Sequence, residues 1–188
     1  MDVRTYLNDH FLIFDGAMGT MLQKAGMPAG GLPEVYNIKH PDLVQDIHKS
    51  YVNAGADVIT ANTFQANRYK LKDCPYTPRD LILAGIAAAK NSGAKYVALD
   101  IGPLGQLMQP MGTLTFDEAY DAYLEQILAG KEAGADLILL ETMSDLSEVK
   151  AGVLAAKENC DLPVFVTMTY QEDGRTFVGC NPESAALT

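Results

Sequence analysis

The chain has 188 residues, enough for one domain with a substantial core, and its 48% hydrophobic and 20% charged content is ordinary for a globular protein. A formal net charge of −10 argues against nucleic acid or an anionic membrane as a partner. There is no apolar run of transmembrane length and no signal-like segment in MDVRTYLNDH, and the three cysteines (Cys74, Cys160, Cys180) are widely spaced; a cytoplasmic location is expected.

Taken in order, Phe11 to Phe14 reads as a first strand that ends at Asp15-Gly16. The segment GAMGTMLQKAGMPAGGLP follows, a glycine- and methionine-rich loop with a short helix. It contains neither a Walker A motif nor a dinucleotide fingerprint. Pro41 opens a helix at its first position, with Leu43, Val44, Ile47 and Tyr51 as the apolar stripe. A second strand covers Val58 to Thr60 and leads into Asn62-Thr63-Phe64. Thr77 caps a helix whose Leu81, Ile82, Ile86 and Ala89 face inward, and a third strand runs from Tyr96 to Leu99. Thr115 to Glu118 has the form of a capping box, and the helix behind it carries Tyr120, Tyr123, Leu124, Ile127 and Leu128 on one side. Leu137 to Leu140 is a fourth strand. A helix opened by Ser144-Asp145 comes next, with Leu146, Val149, Val153 and Leu154 inward, and then a fifth strand, Val164 to Met168. Asp173-Gly174 predicts a hairpin turn between Thr169-Tyr170 and Thr176-Phe177, and Pro182-Glu183 the first turn of a helix.

Three segments are in register: AGADVITANTF, SGAKYVALDIG and AGADLILLETM, with their glycines Gly55, Gly93 and Gly134 spaced 38 and 41 residues apart. That spacing is one strand, one helix and two loops, so the chain reads as a repeated βα architecture. Leu137 to Leu140 has no polar alternation, which suits a parallel strand covered on both faces. Asn62, Asp100 and Glu141 then fall at the same end of adjacent strands, where α/β sheets and barrels hold their ligands. With Asp15 they make an acceptor-rich pocket suited to an ammonium group or a hard cation such as Mg²⁺. Thr167, in the fifth strand, is a further candidate. No lysine or histidine shares the strand-end position. His10, His40 and His48 read as solvated, the methionines as core fillers, and the cysteines as structural, since they lack metal-ligand spacing.

The motifs DGAMGTMLQ, GADVITANTF, DIGPLG and LLETMSD, in that order, resemble the homocysteine S-methyltransferase family, and VTMTYQEDGRTFVG is similar to the family's fifth strand and hairpin. Within the family the likeness is to the N-terminal homocysteine-binding module of the cobalamin-dependent methionine synthases. The resemblance implies a (β/α)₈ TIM-type barrel, represented over residues 1–188 by about five βα units in a single domain. It implies homocysteine at the barrel mouth, its ammonium held by Asp15 and Glu141, its carboxylate met by the backbone at Gly16 and Ala17, and Asn62 shaping the pocket. It also implies zinc held by three cysteines, which keeps the substrate sulfur a thiolate, and methylcobalamin as donor on another module of a larger enzyme that also carries folate chemistry. The family's zinc cysteines lie in later segments. Cys180 does not match them, so no metal ligand and no catalytic residue is assigned within this chain, and little activity is expected of it alone. Two other readings stand beside this one. A non-catalytic half-barrel would self-associate through open sheet edges, and a Mg²⁺-dependent barrel enzyme would use Asp15, Asp100 and Glu141. A doubly wound sheet is the alternative fold.

Overall fold

The computed structural model describes residues 2–188. Its elements are helices α1 (Val3–Tyr6) and α2 (Met18–Lys24), a 3₁₀ turn (Pro33–Val35), α3 (Tyr36–Lys39), α4 (Pro41–Asn53), strand β1 (Val58–Thr60), α5 (Pro78–Asn91), β2 (Tyr96–Ile101), α6 (Phe116–Ala133), β3 (Leu137–Met143), α7 (Leu146–Asn159), β4 (Val164–Met168) and α8 (Pro182–Leu187). The strands form one parallel sheet in the order β1-β2-β3-β4. Strand order follows chain order, without the reversal that marks a doubly wound sheet. Each crossover helix packs on the next, α4 on α5, α5 on α6 and α6 on α7. This is the arrangement of consecutive units in a (β/α) barrel.

Local chemistry sets these boundaries. Thr77 and Asp80, and likewise Thr115 and Glu118, form reciprocal capping boxes at the starts of α5 and α6. Gly134 closes α6 in a left-handed conformation (φ 78°), which turns the chain straight into β3. The pleat then sorts the strand residues onto two faces. Ile59, Val97, Leu99, Ile101, Ile138 and Leu140 meet the helices in the main core. Val58, Tyr96, Ala98, Leu137 and Leu139 point the other way, into a second core capped by Val3, Tyr6, Leu12, Phe14 and Phe165. The N-terminal segment thus plugs the concave side of the sheet beneath its C-terminal rim.

Several expectations are corrected. Phe11 to Phe14 is not a strand but a single parallel bridge, Phe14 to Val58, with Ile13 O accepting from Asp57 N and Val58 N and Asp15 N donating to Val58 O. Phe11 is 92% exposed, because the segment pairs on one side only and no helix covers its outer face. The sheet therefore has four strands rather than five. Asp173-Gly174 makes a turn, with Gln171 N donating to Arg175 O, but no strands flank it. Leu128 and Leu154 lie at the exposed edges of their helices; small residues, Ala122, Ala129 and Gly130 on α6 and Ala151, Gly152 and Ala155 on α7, take the inward places instead. They let α6 and α7 approach the sheet closely: a Cβ on Gly130 would stand 2.4 Å from Leu99 Cδ2. β4 pairs with β3 alone, and an apolar groove between α7, β4 and α8 lies beside it. No helix among the described residues is long and apolar enough to cross a membrane.

Candidate functional site

At the C-terminal rim of the sheet lies a cavity of about 640 Å³. Its wall includes Thr60 of β1, Asp100 of β2, Leu139 and Glu141 of β3, and Phe165 and Thr167 of β4. These share one face, since the register sets Thr60 beside Ala98, Asp100 beside Leu139 and Leu139 beside Phe165. Asp15, Gly16, Ala17, Glu34 and Asn62 complete the wall from the loops. All seven residues singled out in the sequence (Asp15, Gly16, Ala17, Asn62, Asp100, Glu141 and Thr167) therefore border one cavity.

Each is held by identifiable contacts. Asp15 Oδ1 accepts from Thr60 N at 3.0 Å and Thr60 Oγ1 at 2.8 Å. Gly16 lies so close to α4 that an added Cβ would stand 2.9 Å from Tyr51 Cε1, while the Tyr51 hydroxyl donates to Ala17 O. Asn62 Nδ2 donates to Pro33 O and to Asn37 Oδ1, and Asn37 Nδ2 donates back to Asn62 O and to Leu81 O. Glu141 stands where the β3–β4 ladder is irregular, between Leu140 and Met143. Thr142 beside it has φ 60°, a conformation costing a β-branched residue ~1–2 kcal/mol. Thr167 Oγ1 accepts the Thr142 N–H at 3.0 Å, so Thr167 steadies the bulge that turns Glu141 into the cavity.

Sequence reading missed three buried polar residues here. Glu34 is 1% exposed; its Oε1 accepts from Gln65 N, and its Oε2 has no protein partner. Asn37 ties the loops together as above. His48 was expected to be solvated, yet it is wholly buried, both ring nitrogens lack a hydrogen bond, and Nδ1 is 4.0 Å from Asp15 Oδ2. A signal for His48 did exist: with Val44, Ile47 and Tyr51 it lies on one helical stripe.

The electrostatics are one-sided. Asp15, Glu34, Asp100 and Glu141 line the cavity, and among the described residues no Lys, Arg or His does. Burial pushes the Asp15 carboxyl up to about 6, against the Thr60 hydrogen bonds, with Glu141 adding to the rise. Asp100 is raised well above the usual carboxylate range, by burial first and then by Glu141 and Asp15. Glu141 and Glu34 are raised by burial. Burial lowers His48 to about 4, so it stays neutral and does not offset Asp15. Two carboxylates about 4 Å apart repel by roughly 4 kcal/mol at an effective dielectric near 20, comparable with the cost of keeping one protonated at neutral pH.

Stability should reflect this. A carboxyl raised on folding favours the native state below its unfolded value and loses that advantage as pH rises through its folded value. Between about pH 9 and 7.5 His48 is neutral in both states, so the carboxyls dominate; below that window the unfolded chain protonates His48, which burial keeps neutral in the fold, and the gain is opposed. The melting temperature of the ligand-free chain is expected to rise as pH falls across that window, as scanning calorimetry would record. A fall would contradict the electrostatics above.

The cysteines do not make a metal centre. Cys74 and Cys160 sit in or against the helix-side core, Cys180 donates to Asn181 O, and among the described residues no group of three His, Cys, Asp or Glu could hold a metal ion. Asp15, Asp100 and Glu141 thus share a cavity without the geometry of a Mg²⁺ site.

The model of the homocysteine S-methyltransferase family matches residues 12–188. The chain belongs to that family. A methionine synthase of Mycobacterium tuberculosis is 33% identical over an alignment covering 100% of this chain, and one of Mycobacterium leprae is 32% identical over 95% of it. The chain spans 17% and 16% of those relatives' lengths. In fold it is similar to the Escherichia coli homocysteine methyltransferase MmuM, with a TM-score of 0.87 to the oxidized form and 0.84 to the metallated form. The first superposition is 19% identical and covers 98% of this chain and 71% of MmuM; the second is 18% identical and covers 98% and 72%. The four parallel βα units are therefore an arc of a TIM-type barrel, and the carboxyl-lined cavity sits where this homocysteine S-methyltransferase family member presents its strand ends.

Proposed function

We propose that the cavity receives L-homocysteine by its amino-acid end, and that the chain is the substrate-holding part of a methionine-forming methyltransferase. The observation that carries this reading is the cluster of four carboxyl groups, unopposed by any lining cation among the described residues, at the strand ends of a member of this family. Asp15 and Glu141 hold the ammonium by charge-assisted hydrogen bonds, worth roughly 1.5–3 kcal/mol each. The backbone at Gly16 and Ala17, kept close by Tyr51, faces the carboxylate, and Asn62 fixes the depth of the pocket. The side chain then points outward, with its sulfur toward the rim.

The chemistry at sulfur is methyl transfer to a thiolate. Zinc and methylcobalamin, the groups the family resemblance implies, would come with parts of a longer enzyme, since the described residues do not fit a zinc site. This chain's own residues bind and orient the amino acid. Calorimetric titration tests the reading: L-homocysteine should bind, and 4-mercaptobutyrate, which lacks only the amine, should bind at least about tenfold more weakly. Equal affinity for the two would refute it.

A further inference from the structure

Asp100 is not explained by the amine-holding role given to Asp15 and Glu141. It sits deeper, 6% exposed, and its Oδ1 is buried with no hydrogen-bond partner. Its backbone is satisfied by Thr63, whose hydroxyl donates to Asp100 O and accepts from Asp100 N, so the orphan oxygen belongs to a side chain aimed at the cavity. Glu141 of β3 lies two residues beyond Leu139, the ladder partner of Asp100, and lines the same cavity, and Asp15 and Glu34 border that cavity from the loops. His48 stands against Asp15 on the side of α4. Among the described residues, every charged group facing Asp100 is therefore an acid. An ionised Asp100 and Glu141 would confront each other across buried space with no cation between them, whereas a carboxylic acid on one can donate to a carboxylate on the other.

We propose that Asp100 carries a proton donated to Glu141 while the amine subsite is free, and that entry of an ammonium group expels this proton to solvent. The inference rests on the reading of the cavity as an amine site. The balance is simple. The Asp100 O–H bond breaks, its electron pair stays on the carboxylate, the proton passes to buffer, and the ligand's N–H groups take over the hydrogen bond to Glu141. Asp100 is a positioning residue here: as an acid it keeps Glu141 ionised and oriented, and as a carboxylate it adds to the field that holds the amine. Amino-acid binding is accordingly coupled to pH and tightens as pH rises, by up to about tenfold per pH unit while the proton is being released.

The test is calorimetry of L-homocysteine binding to the full chain at pH 7.5, in phosphate and in Tris, whose ionisation heats differ widely. Asp15, at about 6, is mostly ionised there and contributes little. The expected result is release of close to one proton per ligand, and near zero for Asp100→Asn. Should that variant fail to fold, isotope-edited infrared spectroscopy of the unmodified chain with labelled aspartate gives the second readout: a protonated carboxyl band that disappears on saturation with L-homocysteine. Binding with the same heat in both buffers, or no carboxyl band, would overturn the proton and leave the amine site standing. No binding in either buffer would overturn the amine site and the proton with it.

Discussion

Glu141→Gln weakens L-homocysteine binding by about a hundredfold, while the melting temperature holds or rises. The substitution keeps shape and removes charge. The lost charge-assisted hydrogen bond is worth up to ~3 kcal/mol. Stability moves the other way because Glu141 is half-buried against Asp100 and its carboxyl is raised by burial. Removing one of four clustered acids relieves repulsion in the ligand-free chain, the pattern of a site held ready at the expense of stability. Calorimetric titration and thermal melting of the same preparation check both halves. Unchanged affinity would remove Glu141 from the site, and a large fall in melting temperature would show that its carboxylate stabilises the fold.

Asn37→Ala is expected to be the most damaging single truncation near the site, at about 3–5 kcal/mol. Asn37 is 2% exposed. Its amide donates to Asn62 O at 2.7 Å and Leu81 O at 3.0 Å and accepts from Asn62 Nδ2 at 2.7 Å. Truncation leaves two buried carbonyls and one buried amide without this partner, at ~1–3 kcal/mol per orphaned group, less whatever water recovers. Helix α5 is shaped around the contact: Gly85 lies mid-helix, and a Cβ there would stand 2.7 Å from Asn37 Nδ2. For a chain of this size the loss lowers the melting temperature by roughly 10 °C or more. It also frees Asn62 and the 3₁₀ turn bearing Glu34, so homocysteine binding weakens as well. Denaturant titration of the variant reads the first effect directly. A change under about 1 kcal/mol would mean that the amide pair is not the clamp described here.

How far the site could be read in advance varied with the element. Asp100 and Glu141 were legible because each follows a run of apolar residues at a repeated interval from a Gly-Ala pair, and the interval fixes which end of a parallel strand they occupy. Asp15 was legible from the Asp-Gly that ends an apolar run, although that run is only a bridge in the sheet. Asn37 and Glu34 gave no signal. An Asn and a Glu beside a proline-led turn normally face solvent, and only the packing of that turn against α5 and the loop after β1 buries them. Asp173-Gly174 gave a true signal for a turn and a false one for strands, because a turn is decided by its own residues and a strand needs a neighbour.

From the residue pattern alone came the βα repeat, the direction of the strands, the capped starts of α5 and α6 and the family likeness. All of these depend on interactions within a few residues or on a period along the chain. Tertiary structure alone decided that four carboxyl groups meet with no cation among the described residues of the cavity wall, that His48 is sealed beside Asp15, and that Thr142 is bent to aim Glu141. Those facts arise between segments far apart in sequence, where distance and burial, rather than residue type, set the charge a group can carry.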